Sequence, residues 1–469
     1  MTRYLLYAAF ALVQLLSAVS ATAVSVAFPQ VAADYGSSIA LATWVFNASQ
    51  LGVLAVTLVA GSMCDLVGKR RLAIIALLLF SAGSLLSAIA PNIYLLILAR
   101  LLVGAANGAL GLTFIAIAAD LFPESRQKAI GLIASAYFVG MIVGPNMGGW
   151  VTESLGWRWV FWLSIPIGVI GIAACSAMTS RDRTCGTYPI NVRGAAIFAA
   201  SMAFLTVGLS VLGNVGEGMP GWAGGMFMAV GVVLLLGFIR FERRSERPLV
   251  DQQLLRRREF LASHLFNVAY GVVWSMSSLA PLYAVSIYGL STLQSGLAVT
   301  PWTVALTAST TVASFFVART GYRIPMIAGS LAVIAAFLLL GLELKGVSAA
   351  GFRIGGPGVM LAVMGLLGLG AGSALPAINN VCIDLAPDRI AAITGLRYTF
   401  RGIGGAFAIA IASALLSAFG LDRGFTIVMM GTAGVLAIAL PAIWVMPRSP
   451  TDLGAPGRRQ ARPEPGCVE

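Results

Sequence analysis

The sequence predicts an all-α integral membrane protein of fourteen transmembrane helices: two six-helix bundles related by pseudo-twofold symmetry, plus two inserted helices. Three observations carry that prediction. Hydrophobic residues make up 58% of the chain and charged residues only 10%, whereas a soluble globular chain is about 25% charged. Apolar segments long enough to cross a bilayer recur along the whole length. Two short patterns in the first half return, weakened, in the second.

A membrane helix needs about 20 mostly apolar residues. Such segments lie at approximately 4–28, 39–62, 72–90, 92–119, 128–152, 158–178, 194–213, 222–241, 261–288, 293–317, 324–342, 356–385, 392–419 and 424–446. Arg3 and the apolar run after it, with Ala21-Thr22-Ala23 beyond, imitate a secretory signal. A signal's apolar core is only about 7–15 residues, and this run extends from Tyr4 to Phe28. It is read as an uncleaved first span.

An even number of spans puts both termini on one side, and loop charge selects the side. Lys69, Arg70, Arg71, Arg126, Lys128, Arg181, Arg183, Arg193, the cluster from Arg240 to Arg258, Arg319, Arg323, Arg389 and the C-terminal arginines share one set of loops. The other set holds Arg158, Lys345, Arg353 and Arg423. Cationic loops stay in the cytoplasm, so both termini are expected there, on a multi-pass protein of the plasma membrane. This placement explains the net charge of +12 without invoking nucleic acid as a partner.

The expected divisions are an N-terminal bundle at 1–193, inserted helices at 194–241, a basic cytoplasmic linker at 242–260, a C-terminal bundle at 261–446 and a disordered tail at 447–469. Cys64, Cys175, Cys185, Cys382 and Cys467 have no metal-ligand spacing and are expected to form no disulfide. The sole histidine, His264, has no evident metal partners. No nucleotide loop, metal constellation or sizeable soluble domain is visible, so neither an enzyme nor a cofactor is expected.

Repeat architecture leaves weak internal symmetry. Asp65-x2-Gly68 finds an echo in Ala318-x2-Gly321, followed by Arg323. Arg100-x3-Gly104-x3-Gly108 is matched by Met364-x3-Gly368-x3-Gly372. The two halves therefore begin near spans 1 and 9.

The loop Gly61-x3-Asp65-x2-Gly68-Lys69-Arg70 resembles the loop after the second span of major facilitator superfamily transporters. Gly140-x3-Gly144-Pro145-x2-Gly148-Gly149 in span 5 resembles the motif of antiporters in that superfamily. With Trp157-Arg158-Trp159 through Gly168, Pro281-Leu282-Tyr283 and Arg401-Gly402-Ile403-Gly404-Gly405, the resemblance is to its fourteen-span drug:proton antiporters. It implies alternating access, a small-molecule substrate, a lipid bilayer around a monomer, and protons as the candidate coupling ion. Asp65 and its loop would then gate the cytoplasmic side, and Arg100 would influence protonation of nearby acids.

One departure stands out. The resemblance implies an aspartate in span 1 about nine residues before a helix-ending proline, and counting back from Pro29 gives Ser20. The deep charges are instead Arg100, Arg397 and Arg401. Arg100 lies about 12 Å into its span at 1.5 Å per residue, a depth at which a cation marks function or a satisfied structural contact. Arg397 and Arg401 are one helical turn apart and share a face. Arg397 either snorkels to the cytoplasm or faces the cavity and attracts an anionic substrate. Thr22, Ser25, Asn47, Gln50, Asn107, Tyr137, Asn267, Trp274, Asn379 and Asn380 are candidate cavity residues, although a polar residue in a span is often interhelical glue. Two readings remain: an exporter of amphipathic drugs or secondary metabolites, and a carrier of a specific, anionic metabolite or vitamin without proton antiport.

Overall fold

The computed structural model describes residues 2–122, 126–178, 192–213, 221–245, 256–344, 346–349, 352–385 and 390–449. The basic linker expected at 242–260 and the tail expected from 447 fall largely outside these residues. So do Cys185 and Cys467.

The apolar segments fold as helices because a backbone in hydrocarbon must satisfy its own polar groups. In the first half these are α1 (Thr2–Ala23), α2 (Phe28–Tyr35), α3 (Ile39–Val67), α4 (Lys69–Ala88), α5 (Ile93–Leu121), α6 (Arg126–Ser154), α7 (Arg158–Trp162) and α8 (Ile165–Ser176). Next come α9 (Val192–Gly213) and α10 (Gly221–Arg244). The second half holds α11 (Arg258–Ser277), α12 (Ala280–Tyr288), α13 (Thr292–Thr320), α14 (Arg323–Gly341), α15 (Gly356–Asp384), α16 (Ile390–Phe419), α17 (Leu421–Ala439) and α18 (Ala442–Val445). A hairpin of β1 (Gly346–Ala349) and β2 (Phe352–Gly355) joins α14 to α15, with Gly346 opposite Gly355.

Among the described residues nine helices are long and apolar enough to cross a membrane, or ten when the bent pair α11–α12 counts as one. Every apolar segment read from the sequence coincides with a helix or a broken helix. The breaks follow prolines, which remove a backbone donor and fix φ. Pro29 opens α2, Pro166 opens α8 and Pro281 opens α12. The α11–α12 bend is 45°.

The contacts at helix ends define two faces. Lys69 pairs with Asp120 at 2.6 Å, and the Arg3 guanidinium lies 5.8 Å from the Phe122 ring. Arg323 bonds the Met446 carbonyl; because the end of α6 lies on the start of α13, the start of α6 and the end of α13 share one face, and with them the two termini of the described helices, called here the terminal face. On the opposite face Asp34 accepts from Trp157 Nε1 at 2.7 Å and pairs with Arg158 at 3.1 Å.

The echo seen in the sequence has a structural counterpart. Gly68 (φ 88°) and Gly321 (φ 71°) both take the positive φ that turns one helix into the next. Two residues later, Arg70 donates to the Ser176 and Met178 carbonyls at the end of α8. Arg323 donates to the Trp444 and Met446 carbonyls at the end of α18. A cation at a helix C-terminus satisfies orphan carbonyls and the negative end of the dipole. Each half thus closes its last helix with the same device.

Candidate functional site at the seam of the halves

Close helix packing by glycine positions the site. A Cβ on Gly271 of α11 would land on the Arg401 carbonyl, and one on Gly404 of α16 would land on the Val268 carbonyl. The glycines let α11 and α16 approach backbone to backbone, which lays the Arg401 side chain along α11. Its guanidinium sits 4.0 Å from the Trp274 ring centre and 5.8 Å from that of Tyr270, one turn earlier. Trp274 meets Trp302 of α13 edge-on at 5.5 Å. Tyr137 of α6 and Tyr398 of α16 lie within electrostatic reach of Arg401.

The result is an aromatic cage with one cation, walled by α6 from the first half and by α11, α13 and α16 from the second. No carboxylate pairs with Arg397 or Arg401 among the described residues. Trp302 Nε1 is buried and lacks a hydrogen-bond partner. Such groups cost free energy until a ligand or water pairs them. The cage can therefore hold a flat apolar body against its rings and an acceptor group near Arg401.

A buried cation lies in the first half. Arg100 of α5 is 1% exposed; it reaches Ser49 Oγ at 3.5 Å and stands 5.6 Å from the Phe161 ring. Its Nε and Nη1 have no partner, and neither amide atom of buried Asn47 on α3 has one. The glycines of its motif serve packing: Cβ atoms on Gly104 and Gly108 would strike the Ser49 and Val53 carbonyls of α3.

On the opposite face α6 and α13 are tied together. Glu153 at the end of α6 accepts from the Leu293 backbone N–H at 2.8 Å and from Ser291 Oγ at 3.2 Å, at the N-terminus of α13. Thr300 donates to Asn146 Oδ1 at 2.9 Å. Gly149 packs on the Leu293 backbone, and Gly296 packs on the Pro145 carbonyl.

The model of the Major Facilitator Superfamily matches residues 10–352. The chain belongs to that superfamily. Multidrug transporter protein MdtP of Bacillus subtilis (strain 168) is 26% identical over 424 residues, covering 89% of this chain and 76% of its own. A multidrug resistance protein B homolog of Mycobacterium tuberculosis (strain ATCC 25618 / H37Rv) is 27% identical over 411 residues, covering 87% and 75%. Among solved structures, a peptide transporter POT in complex with sulfate superposes with a TM-score of 0.68 at 16% identity, covering 94% of this chain and 95% of its own. The human organic anion transporter MFSD10 gives 0.59 at 15% identity, with 94% and 99% covered. These two show the fold alone; the family model makes this chain a membrane-embedded transporter of the superfamily.

In that superfamily frame the sequence candidates divide. Tyr137, Trp274 and Arg401 come together in the cage. Arg397 is 7% exposed, which does not fit a cation snorkelling to water. It lies within electrostatic reach of His264 and Cys382. Asn47 is buried and Asn379 half-buried, both with unpartnered atoms, while Gln50 and Asn107 are half-buried.

Three candidates bond the preceding turn of their own chain segment: Thr22 to the Ala18 carbonyl, Ser25 to the Thr22 carbonyl and Asn267 to the Ser263 carbonyl, and only Asn267 also reaches another span, at Cys382. Asn380 is exposed. Of the gating loop, Gly68, Lys69 and Arg70 act as described above, whereas the side chains of Gly61 and Asp65 lie outside the described residues.

The antiporter-like motif turns out to be a packing stripe. Cβ atoms on Gly140, Gly144 and Gly148 would meet Leu15, Thr22 and Ala23 of the α1 side, and α6 continues unbroken through Pro145. Ser20 bonds Ser164 Oγ at 2.6 Å inside an apolar cleft of about 230 Å³ between α1, α6 and α8. Sequence reasoning missed Tyr270, Trp302 and Tyr398. Tyr270 could have been found from its i, i+4 spacing to Trp274; Trp302 and Tyr398 carried no local signal.

Proposed function

We propose that this transporter is a secondary active exporter of amphipathic small molecules, working by alternating access across fourteen spans. The two bundles are residues 1–193 and 261–446, the inserted pair is 194–241, and the terminal face is cytoplasmic. The observation that carries this reading is the cage, in which Arg401 of α16 lies on Trp274 of α11 and Tyr137 of α6, from the other half, stands within electrostatic reach of it. A site shared by both halves is taken apart when they rock, so ligand released there changes sides. The multidrug names of the relatives in Bacillus subtilis and Mycobacterium tuberculosis support drugs or secondary metabolites as the substrate class.

The bonds Glu153–Leu293 and Asn146–Thr300 support closure of the external side in this state. Lys69 pairs within its own half, which fits an open cytoplasmic side.

Proton coupling does not run through span 1, where Ser20 is a hydroxyl bonded to Ser164. The acids Asp34 and Glu153 of the opposite face hold Arg158 and the start of α13. Among the described residues no carboxylate pairs with Arg397 or Arg401, which favours a second reading, in which the substrate carries an acidic group. The test is transport of candidate drugs into inverted vesicles with and without an imposed pH gradient. Accumulation only with the gradient supports proton-coupled export. Accumulation that ignores the gradient, or that occurs only for acidic metabolites, replaces it with the second reading.

A further inference from the structure

His264 is the sole histidine of the chain, and it is fully buried inside the second half. Its Nδ1 stands 2.9 Å from the Phe260 carbonyl oxygen. A carbonyl only accepts, so Nδ1 carries the hydrogen and Nε2 is left as an acceptor. The neighbouring Ser263 hydroxyl spends its own hydrogen on the same carbonyl. The ring is held in place, stacked on Phe260 at 4.2 Å and edge-on to Phe400 of α16 at 5.1 Å. Nε2 is buried and has no hydrogen-bond partner among the described residues.

Arg397 of α16 stands at the same level. Both helices run from the terminal face: α11 leads through α12 to the opposite-face start of α13, and α16 follows Asp384, which bonds Tyr322 of the terminal-face turn. Gly271 packs on the Arg401 carbonyl and Gly404 on the Val268 carbonyl. These contacts give offsets of 401 − 271 = 130 and 404 − 268 = 136, and their mean of 133 carries residue 264 to 264 + 133 = 397. Arg397 lies within electrostatic reach of the ring, and its guanidinium is 4.7 Å from the Tyr398 ring centre. Its Nε is buried and has no hydrogen-bond partner among the described residues.

An acceptor on α11 and a charged donor on α16 therefore share one level, and the fold pairs neither. Other titratable groups on the elements packed against α11 are Cys382 and Asp384 of α15, Tyr398 and Arg401 of α16, and Asp422 and Arg423 at the start of α17; α18 has none. Arg258 and Glu259 of α11 itself are exposed at its start. A bare carboxylate would satisfy Arg397 and leave Nε2 without a hydrogen. A carboxyl group that keeps its proton satisfies both, because it donates through one oxygen and accepts through the other.

We propose that His264 and Arg397 form a subsite for the carboxyl group of an acidic substrate, which binds together with one proton. The O–H is shared with Nε2, and the other oxygen accepts from Arg397. The proposal rests on the second reading above, in which the substrate is acidic. Arg401 lies 401 − 397 = 4 residues further on, about 6 Å along the helix, so the flat body of the same ligand reaches Trp274. A free carboxylic acid is ionised at neutral pH. The proton is therefore drawn from water on binding, and acid and proton cross the membrane in the same direction. Such coupling needs no acid in span 1, where Ser20 stands.

The test is calorimetry of 2-naphthoate binding to the full-length transporter in nanodiscs, in phosphate and in Tris at neutral pH. The difference between the buffers counts the protons taken up. The wild-type protein and Arg397→Lys are expected to take up about one proton per ligand. His264→Phe, which keeps a ring against Phe260, is expected to take up none and to bind about tenfold more weakly. The neutral amide 2-naphthamide should bind without proton uptake. Naphthoate binding by the wild-type protein without proton uptake overturns the subsite, as does undiminished uptake in His264→Phe. Where His264→Phe does not fold, the wild-type proton count decides alone. A wild-type protein that binds the amide and not the acid removes the acidic-substrate reading itself, which keeps the two failures distinct.

Discussion

The Arg401 guanidinium lies over the face of Trp274, 4.0 Å from the ring centre, and this contact joins α16 to α11 within the second half. A cation over a ring face is stabilised by about 0.5–2 kcal/mol, according to how far it is removed from water. Lysine keeps the charge but not the planar stack. Arg401→Lys is expected to fold and to raise the half-saturation concentration for an amphipathic dye several-fold. Arg401→Gln is expected to lose more. Concentration-dependent initial rates in inverted vesicles check both.

The paired arginines at the terminal face give a stability prediction. Arg70 and Arg323 each satisfy two carbonyls at a helix end, whereas Lys69–Asp120 is a solvent-exposed pair of the kind that contributes about 0–1 kcal/mol. Arg70→Ala and Arg323→Ala should each lower the melting temperature in detergent by several degrees, with Asp120→Asn close to wild type. Thermal unfolding followed by intrinsic fluorescence checks the order.

Glycine substitutions separate packing from chance. A Cβ at Gly140 or Gly404 would collide with a neighbouring backbone carbonyl, while Gly111 and Gly434 have nothing within reach. Overpacking costs about 1–3 kcal/mol. Gly140→Ala and Gly404→Ala should reduce the folded yield and the melting temperature, and Gly111→Ala and Gly434→Ala should not. Size-exclusion profiles of the four variants provide the comparison.

Glu153 is predicted to act as a latch. Its carboxylate accepts from the Leu293 N–H and the Ser291 hydroxyl, and a glutamine carbonyl oxygen can do the same. Glu153→Gln should retain transport and its response to a pH gradient. Glu153→Ala should favour the state open at the opposite face, read as faster reaction of an introduced Thr300→Cys with an impermeant thiol reagent.

Much of the fold was legible because lipid enforces it. Apolar runs could only become helices, but where they break was not legible: prolines 29, 166 and 281 open new helices, whereas prolines 145, 301 and 376 sit inside unbroken ones. The Gly68–Arg70 echo in Gly321–Arg323 was legible too, since both copies keep the residues that the turn and cap require. The cage was only half legible. Trp274, Tyr137 and Arg401 declared themselves as unusual residues in apolar helices, but which polar residues face the seam depends on helix rotation. That rotation follows glycine contacts such as Gly271 on Arg401, which pair helices far apart in sequence. Thr22 and Ser25 look no different in sequence from Asn47, yet they spend their donors on their own helix. For Ser20 the missing fact was its partner Ser164, in another span.

The most direct test of the account is the binding of an amphipathic fluorescent substrate to purified transporter in lipid nanodiscs, comparing Trp274→Ala, Trp274→Phe and Trp222→Ala. Trp222 is exposed on α10, away from the cage. The account predicts that Trp274→Ala weakens binding by about tenfold or more, that Trp274→Phe recovers most of it, and that Trp222→Ala matches wild type. Unchanged binding and transport in a folded Trp274→Ala protein would contradict the placement of the substrate between Trp274 and Arg401.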